Sequence, residues 1–300
     1  MTNLLNDKGE SFAKVLDYEG YYFPNHLGAQ PDVDVTEYLS GLNELTFEDG
    51  EICIVSYLKS GTHWMYEICN MLKNGNSEYM DRLVPIFDYT PRKDLEAARK
   101  MNGVHTSHMY PRHLPKHFLE KRCKIIHIYR NPKDVAVSYF NFSKKVKFYN
   151  TEDMCFPEFL RHFVSGEVPC SGWVNWIKEW KTFQKENPDY PFFEISYEDM
   201  KRNLKKAVQE ISDFLDLGSS PELIEEIARK CDFDNMSTHK NSNIPKSMPN
   251  ITRKENSHIF YRKGGVGDWK NHFTVAENEA FDQTFGPKLA ELGLNVTYEL

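Results

Sequence analysis

Cysteine is scarce and unpatterned in this 300-residue chain. Cys53, Cys69, Cys123, Cys155, Cys170 and Cys231 form no C-x-x-C pair. Zinc sites and disulfide scaffolds need closer, repeated spacing, so reduced and mostly buried thiols are expected and no metal site is. Long hydrophobic runs are missing too: nothing approaches the roughly eighteen apolar residues of a membrane span. The segment Met1–Lys8 has no apolar core of signal-peptide length, which points to a cytoplasmic protein. Positive charge is not in excess. Lys and Arg number 37 against 44 Asp and Glu, a net charge of −7, which argues against bulk affinity for nucleic acid or anionic membrane. There is no internal repeat, low-complexity tract or Gly/Pro-rich linker, so a single domain over residues 1–300 is expected.

What is present is an ordinary globular balance, 40% apolar and 27% charged, long enough to bury a substantial core. Short β-rich runs alternate with amphipathic segments. Ile52–Tyr57 is an apolar run ending in a Lys-Ser-Gly turn, followed by a helical pattern from Thr62 to about Lys73. Lys124–Tyr129 repeats the arrangement before a segment starting at Lys133, and Pro191–Ser196 is a third such run. Leu204, Val208, Ile211 and Leu215 then fall at helical spacing. This alternation predicts an α/β fold with a central, mostly parallel sheet flanked by helices. Ligands of such sheets sit beyond the carboxyl ends of the strands, so the residues after Tyr57, Tyr129 and Ile195 are where chemistry is sought.

The first of these ends reads Tyr57-Leu-Lys-Ser-Gly-Thr-His-Trp64. A glycine turn feeding a helix offers free N–H groups and the positive end of the helix dipole to a phosphate. Lys59 adds a charge, and Ser60 and Thr62 add hydroxyls. The G-x-x-x-x-G-K-[ST] loop is absent, and alone this turn reads more readily as a plain turn and helix cap. After the second run comes Arg130-Asn-Pro-Lys-Asp-Val-Ala-Val-Ser138-Tyr. Arg130 can fork onto a phosphate, and Ser138 lies about two helical turns further on. A third basic stretch, Arg262-Lys263-Gly264-Gly-Val-Gly-Asp-Trp-Lys270, combines cations with glycines that allow close backbone approach. A solvated charge or a surface loop is the bland alternative for each taken singly.

Together the three stretches resemble the cytosolic sulfotransferase family, with its Y-P-K-S-G-T-T-W, R-N-P-K-D-x-x-V-S-Y and R-K-G-x-x-G-D-W-K segments in the same order. The resemblance implies a P-loop-like phosphosulfate-binding loop and the donor 3′-phosphoadenosine 5′-phosphosulfate (PAPS), leaving as PAP, with no metal. It implies that Lys59, Ser60, Gly61, Thr62 and His63 cradle the 5′-phosphosulfate. Arg130, Ser138, Arg262, Lys263 and Gly264 would hold the 3′-phosphate. Trp64, Tyr197, Cys231, Phe233 and Met236 would surround the adenine. The catalytic group is expected to be His108, Lys59 and Ser138, with His108 as general base for in-line transfer. Eleven histidines are present and composition does not choose among them. Alignment on Leu114-Pro115-Lys116 selects His108 over its neighbours His105 and His113.

Three positions depart from the family pattern. His63 replaces the second threonine of the phosphosulfate loop, Thr106 stands where many relatives carry lysine, and Cys231 stands where a threonine often meets adenine. Phe87, Phe142, Phe148 and Tyr149 are candidate walls for a small-molecule acceptor: a phenol, steroid, alcohol or amine. Lys270–Glu279 matches the family's K-x-x-x-T-V-x-x-x-E dimer strip, implying a homodimer. Two other functions stay open at this point: a nucleotide kinase, which would need a Walker-type lysine and a magnesium-holding acid, and an inactive nucleotide-binding relative.

Overall fold

The computed structural model describes residues 1–24, 35–80, 84–243, 252–253 and 260–300. The first third contains β1 (Thr2–Leu5), β2 (Ser11–Tyr18), β3 (Tyr21–Pro24), α1 (Val35–Leu42), β4 (Ile52–Ser56), α2 (Thr62–Asn74) and α3 (Arg92–Met101). There follow β5 (Val104–Ser107), α4 (Lys116–Glu120), β6 (Lys124–Tyr129), α5 (Pro132–Ser143), α6 (Phe156–Ser165), α7 (Trp173–Glu186) and β7 (Phe192–Ser196). Helices α8 (Tyr197–Arg202), α9 (Leu204–Phe214), α10 (Pro221–Lys230), α11 (Phe233–Ser242) and α12 (Val275–Glu291) complete the order.

The central sheet has the strand order β5-β4-β6-β7 and every pairing is parallel. Alternate residues of β4 and β6 pack on opposite faces of the sheet, which is why these strands read as largely apolar runs. Ile52, Ile54, Ile126 and Ile128 pack with Met65, Ile68 and Met71 of α2 and with Val208 and Ile211 of α9. Cys53, Val55 and Ile125 join the opposite cluster, which holds Trp173, Trp176 and Trp180 of α7. Both faces are covered, so the polar side chains the strands do carry, such as His105, Thr106 and Ser107 of β5, are buried with partners.

The three strands expected from periodicity are β4, β6 and β7, and the pattern from Thr62 is α2. Two features were not expected. β1, β2 and β3 form a separate antiparallel sheet in meander order, and β5 is a strand of only four residues. All strands of the parallel sheet deliver their carboxyl ends to one side, and there the loops that bear the sequence motifs converge.

Candidate active site

The β4–α2 loop is built around two residues in the left-handed region, Lys59 at φ 67° and Gly61 at φ 113°. A Cβ on Gly61 would come within 3.0 Å of both Ile128 and Tyr197, so backbone conformation and neighbours alike favour glycine. Gly61 occupies the N-cap position of α2, and no side chain caps that end. The first-turn N–H groups are thus available to an anion. The Ser60 hydroxyl is buried and has no hydrogen-bond partner, whereas Thr62 Oγ1 lies 2.6 Å from Ser56 Oγ. Lys59 Nζ sits 4.6 Å from the centre of the Phe142 ring and 5.5 Å from that of Phe260. Burial, with Arg130, Lys145 and Arg262 nearby, brings the Lys59 ammonium down to about 7. His63 stacks on Phe260 at 4.1 Å, and burial beside Lys59 lowers its ring to about 3, so it is neutral.

Asn131 caps α5 by accepting the Asp134 N–H at 2.8 Å, with Pro132 entering the first turn. This fixes the preceding residue, Arg130, which is 8% exposed. One guanidinium nitrogen donates to the Gly265 carbonyl at 2.8 Å, and the plane lies 4.3 Å over the Tyr197 ring. Its Nε is buried without a partner. The C-terminal basic loop is tied to the same helix end, because Asp134 accepts the N–H groups of Gly267 and Trp269 at 2.8 and 2.9 Å. Within that loop Asp268 pairs with Arg262 at 2.5 Å and Lys263 at 2.7 Å. Gly264, at φ 63°, passes so close to the Phe233 ring that a Cβ would lie 2.1 Å from it, and its carbonyl accepts the Tyr197 hydroxyl.

His108 follows β5 and is 3% exposed. Its Nδ1 is 2.7 Å from the Ser56 carbonyl. A carbonyl only accepts, so Nδ1 carries the hydrogen and Nε2 carries the lone pair. Burial lowers the ring's pKa, with Asp88 opposing and Lys59 adding to the effect. The competing histidines are occupied elsewhere. His105 Nε2 is 2.6 Å from Glu51, and His113 lies among Tyr18, Tyr21, Phe23 and Tyr110, 3.3 Å from Glu19.

A single cleft brings together Lys59, Gly61, Thr62, His63, Trp64, His108, Arg130, Ser138, Tyr197, Phe233, Met236, Arg262, Lys263 and Gly264, together with Phe142. Not every sequence-selected residue lines it. Ser60 is enclosed within the loop. Cys231 turns its thiol toward Met71 in the core, 3.7 Å away, and only its carbonyl serves the site, accepting the Trp64 indole N–H at 2.7 Å. Thr106 bonds to the Pro85 carbonyl. Phe87 packs with Phe47, His105 and Phe118, and Tyr149 packs on Tyr139, both in the core, while Phe148 lies against that core. Ile86, Tyr89, Phe260 and Tyr261, which sequence reading passed over, line the cleft instead. The reason at Phe87 is alternation: Ile86 bridges Thr106 in parallel, so Phe87 points to the opposite side from its neighbour.

The profile described as Sulfotransferase domain matches residues 49–293. An amine sulfotransferase of Oryctolagus cuniculus is 33% identical over 297 residues, covering 95% of this chain and 94% of that protein. Sulfotransferase 1E1 of Homo sapiens is 34% identical, covering 89% of this chain and 93% of its own length. Among solved structures, mouse sulfotransferase SULT7A1 complexed with PAP superposes with a TM-score of 0.72 at 28% identity, covering 92% of this chain and 94% of that one. A retinol dehydratase complex gives the same TM-score at 18% identity, a likeness of fold.

Proposed function

Since the chain belongs to the sulfotransferase family, and is a sulfotransferase that uses PAPS as donor, we propose that it acts through His108 as general base in an in-line transfer to a small-molecule hydroxyl or amine. The observation that carries this reading is the Nδ1 contact to Ser56, which leaves the His108 Nε2 lone pair in the same cleft as Lys59, Arg130 and Arg262. The cleft suits the nucleotide on its own features. The uncapped α2 terminus and the unpartnered Arg130 Nε are polar groups in want of an anion.

PAPS supplies the sulfuryl group and, with its 5′-phosphate, the leaving group. In this reading Lys59, Thr62 and the α2 N–H groups hold the 5′ end. Arg130, Ser138, Arg262, Lys263 and the Gly264 backbone take the 3′-phosphate, and Trp64, Tyr197, Phe233 and Met236 the base. His108 Nε2 takes the acceptor's proton as nucleophilic character develops on the acceptor oxygen or nitrogen. Lys59 balances negative charge that builds on the transferring group. His63, being neutral, contributes as a hydrogen-bonding group stacked on Phe260 and not as a charge. Phe142, Tyr89 and Ile86 give the acceptor side an apolar wall.

The reading extends to one catalytic unit over residues 1–300, cytoplasmic and homodimeric through Lys270–Glu279. No helix among the described residues is long and apolar enough to cross a membrane. Val275, 77% exposed beside the Thr274–Glu277 capping box, is an apolar contact in want of a cover. The test of the mechanism is His108→Ala. Transfer should fall at least about a thousandfold, the upper part of the range for a general base, with PAP affinity kept within about threefold. Turnover near that of the parent would remove His108 as the base.

A further inference from the structure

Asp88 lies behind His108, 2% exposed, and its environment is unusual for a carboxylate. Both oxygens accept the His108 backbone N–H at 3.0 Å, and Oδ2 also accepts the Ser107 hydroxyl at 2.9 Å. Among the described residues no lysine or arginine forms an ion pair with it. An enclosed carboxylate without a cation is costly, and a neutral turn residue would serve the backbone as well. The groups around it are otherwise weak acids: Tyr21 from β3, Tyr38 from α1, Cys53 from β4, the adjacent Tyr89, and Cys170 beyond α6. Lys59 and His63 reach His108 from the β4–α2 side.

We propose that Asp88 is a positioning residue for the reaction, a buried negative charge that fixes His108 and stabilises the imidazolium formed when Nε2 takes the acceptor's proton. This rests on His108 being the base. The resting enzyme carries the cost of an unpaired carboxylate, and proton transfer relieves it by creating the missing cation next to it. The carboxylate acts through space, because its hydrogen bond goes to the His108 main chain while the ring is steered by Ser56. Burial raises the Asp88 carboxyl and lowers the His108 ring, and each group opposes the shift of the other.

Asp88→Asn keeps the shape and an acceptor for the His108 N–H but deletes the charge. Its acid limb in kcat/KM should move about one pH unit lower, and kcat should fall roughly tenfold, as His108 becomes a weaker base. PAP affinity should stay within about twofold of the parent, since Asp88 does not line the cleft. Asp88→Glu, which restores the charge, should recover most of the pH profile. An unchanged acid limb in an Asp88→Asn protein that binds PAP would overturn the proposal and leave a purely structural turn residue. If neither variant folds, the parent protein's PAP complex supplies the reading: the Asp88 carboxyl carbon resonance should shift as His108 protonates, and a signal indifferent to His108 would overturn the proposal equally. Either failure is separate from failure of the base assignment, which His108→Ala alone decides.

Discussion

Lys59 enters the cleft with less charge than a surface lysine would hold. Burial and three neighbouring cations bring its ammonium from 10.5 to about 7, so a substantial share is neutral just above that pH. A bound phosphate favours the charged form. PAP binding should therefore take up protons in the range of about pH 7.5 to 9, and affinity should weaken as pH rises through it. Titration calorimetry in buffers of different ionisation enthalpy measures the uptake. Lys59→Arg, charged throughout, should abolish it; unchanged uptake would place the proton elsewhere. Arg130→Ala acts differently, leaving Tyr197 and the Gly265 carbonyl without their partner. It should weaken PAP by about 1.5–3 kcal/mol, a charge-assisted contact, with equilibrium binding as the check. At this scale the sequence was readable wherever side chain and motif coincide, as at Lys59, Arg130 and Phe142. It was not readable where the chain turns a named residue away, as at Phe87 and Cys231, or where a residue such as Asp88 acts on the back of another.

Elements place these groups, and the turns between them carry the constraint. The loop before α2 needs Gly61 for its conformation and its space, and the loop before α12 needs Gly264 for closeness to Phe233. Gly264→Ala would drive a Cβ into that ring and displace Phe233, at the start of α11, from its place in the cleft wall. PAP affinity should fall about tenfold or more, roughly 1.4 kcal/mol, with little change in thermal melting; parent-like affinity would mean the ring gives way freely. Strands β4, β6 and β7 announce themselves as apolar runs because both their faces are buried. β5 does not, since Val-His-Thr-Ser is short and three of its four side chains are polar, each satisfied by a specific partner or enclosed in the core. His108 was thus selected through alignment, and the strand that delivers it left no pattern to read. The β1–β3 meander escaped notice for a related reason: Phe12 and Ala13 are both buried, breaking the strict alternation that marks a half-exposed strand.

At the scale of the whole molecule, an acidic chain concentrates Lys59, Arg130, Lys145, Arg262 and Lys263 around one end of its sheet. Net charge of −7 says nothing of this arrangement, because the fold, through three strand and loop ends separated in sequence, sorts the charge. The parallel architecture makes the convergence unavoidable: strands that run the same way bring all their carboxyl-end loops to one side. Fold class and the cationic half of the site were legible from this logic. The rest of the apolar lining was not, Phe142 apart, because it comes from Ile86, Tyr89, Phe260 and Tyr261, aliphatic and aromatic residues that look in sequence like any other core side chains.

The central claim is sulfuryl transfer from PAPS, and the direct measurement is the movement of labelled sulfate from PAPS to pooled phenols, steroids, alcohols and amines. The account predicts labelled product with the parent protein, at least about a thousandfold less with His108→Ala, and PAP bound by both. A parent protein that binds no PAP and forms no product from any pool would contradict it.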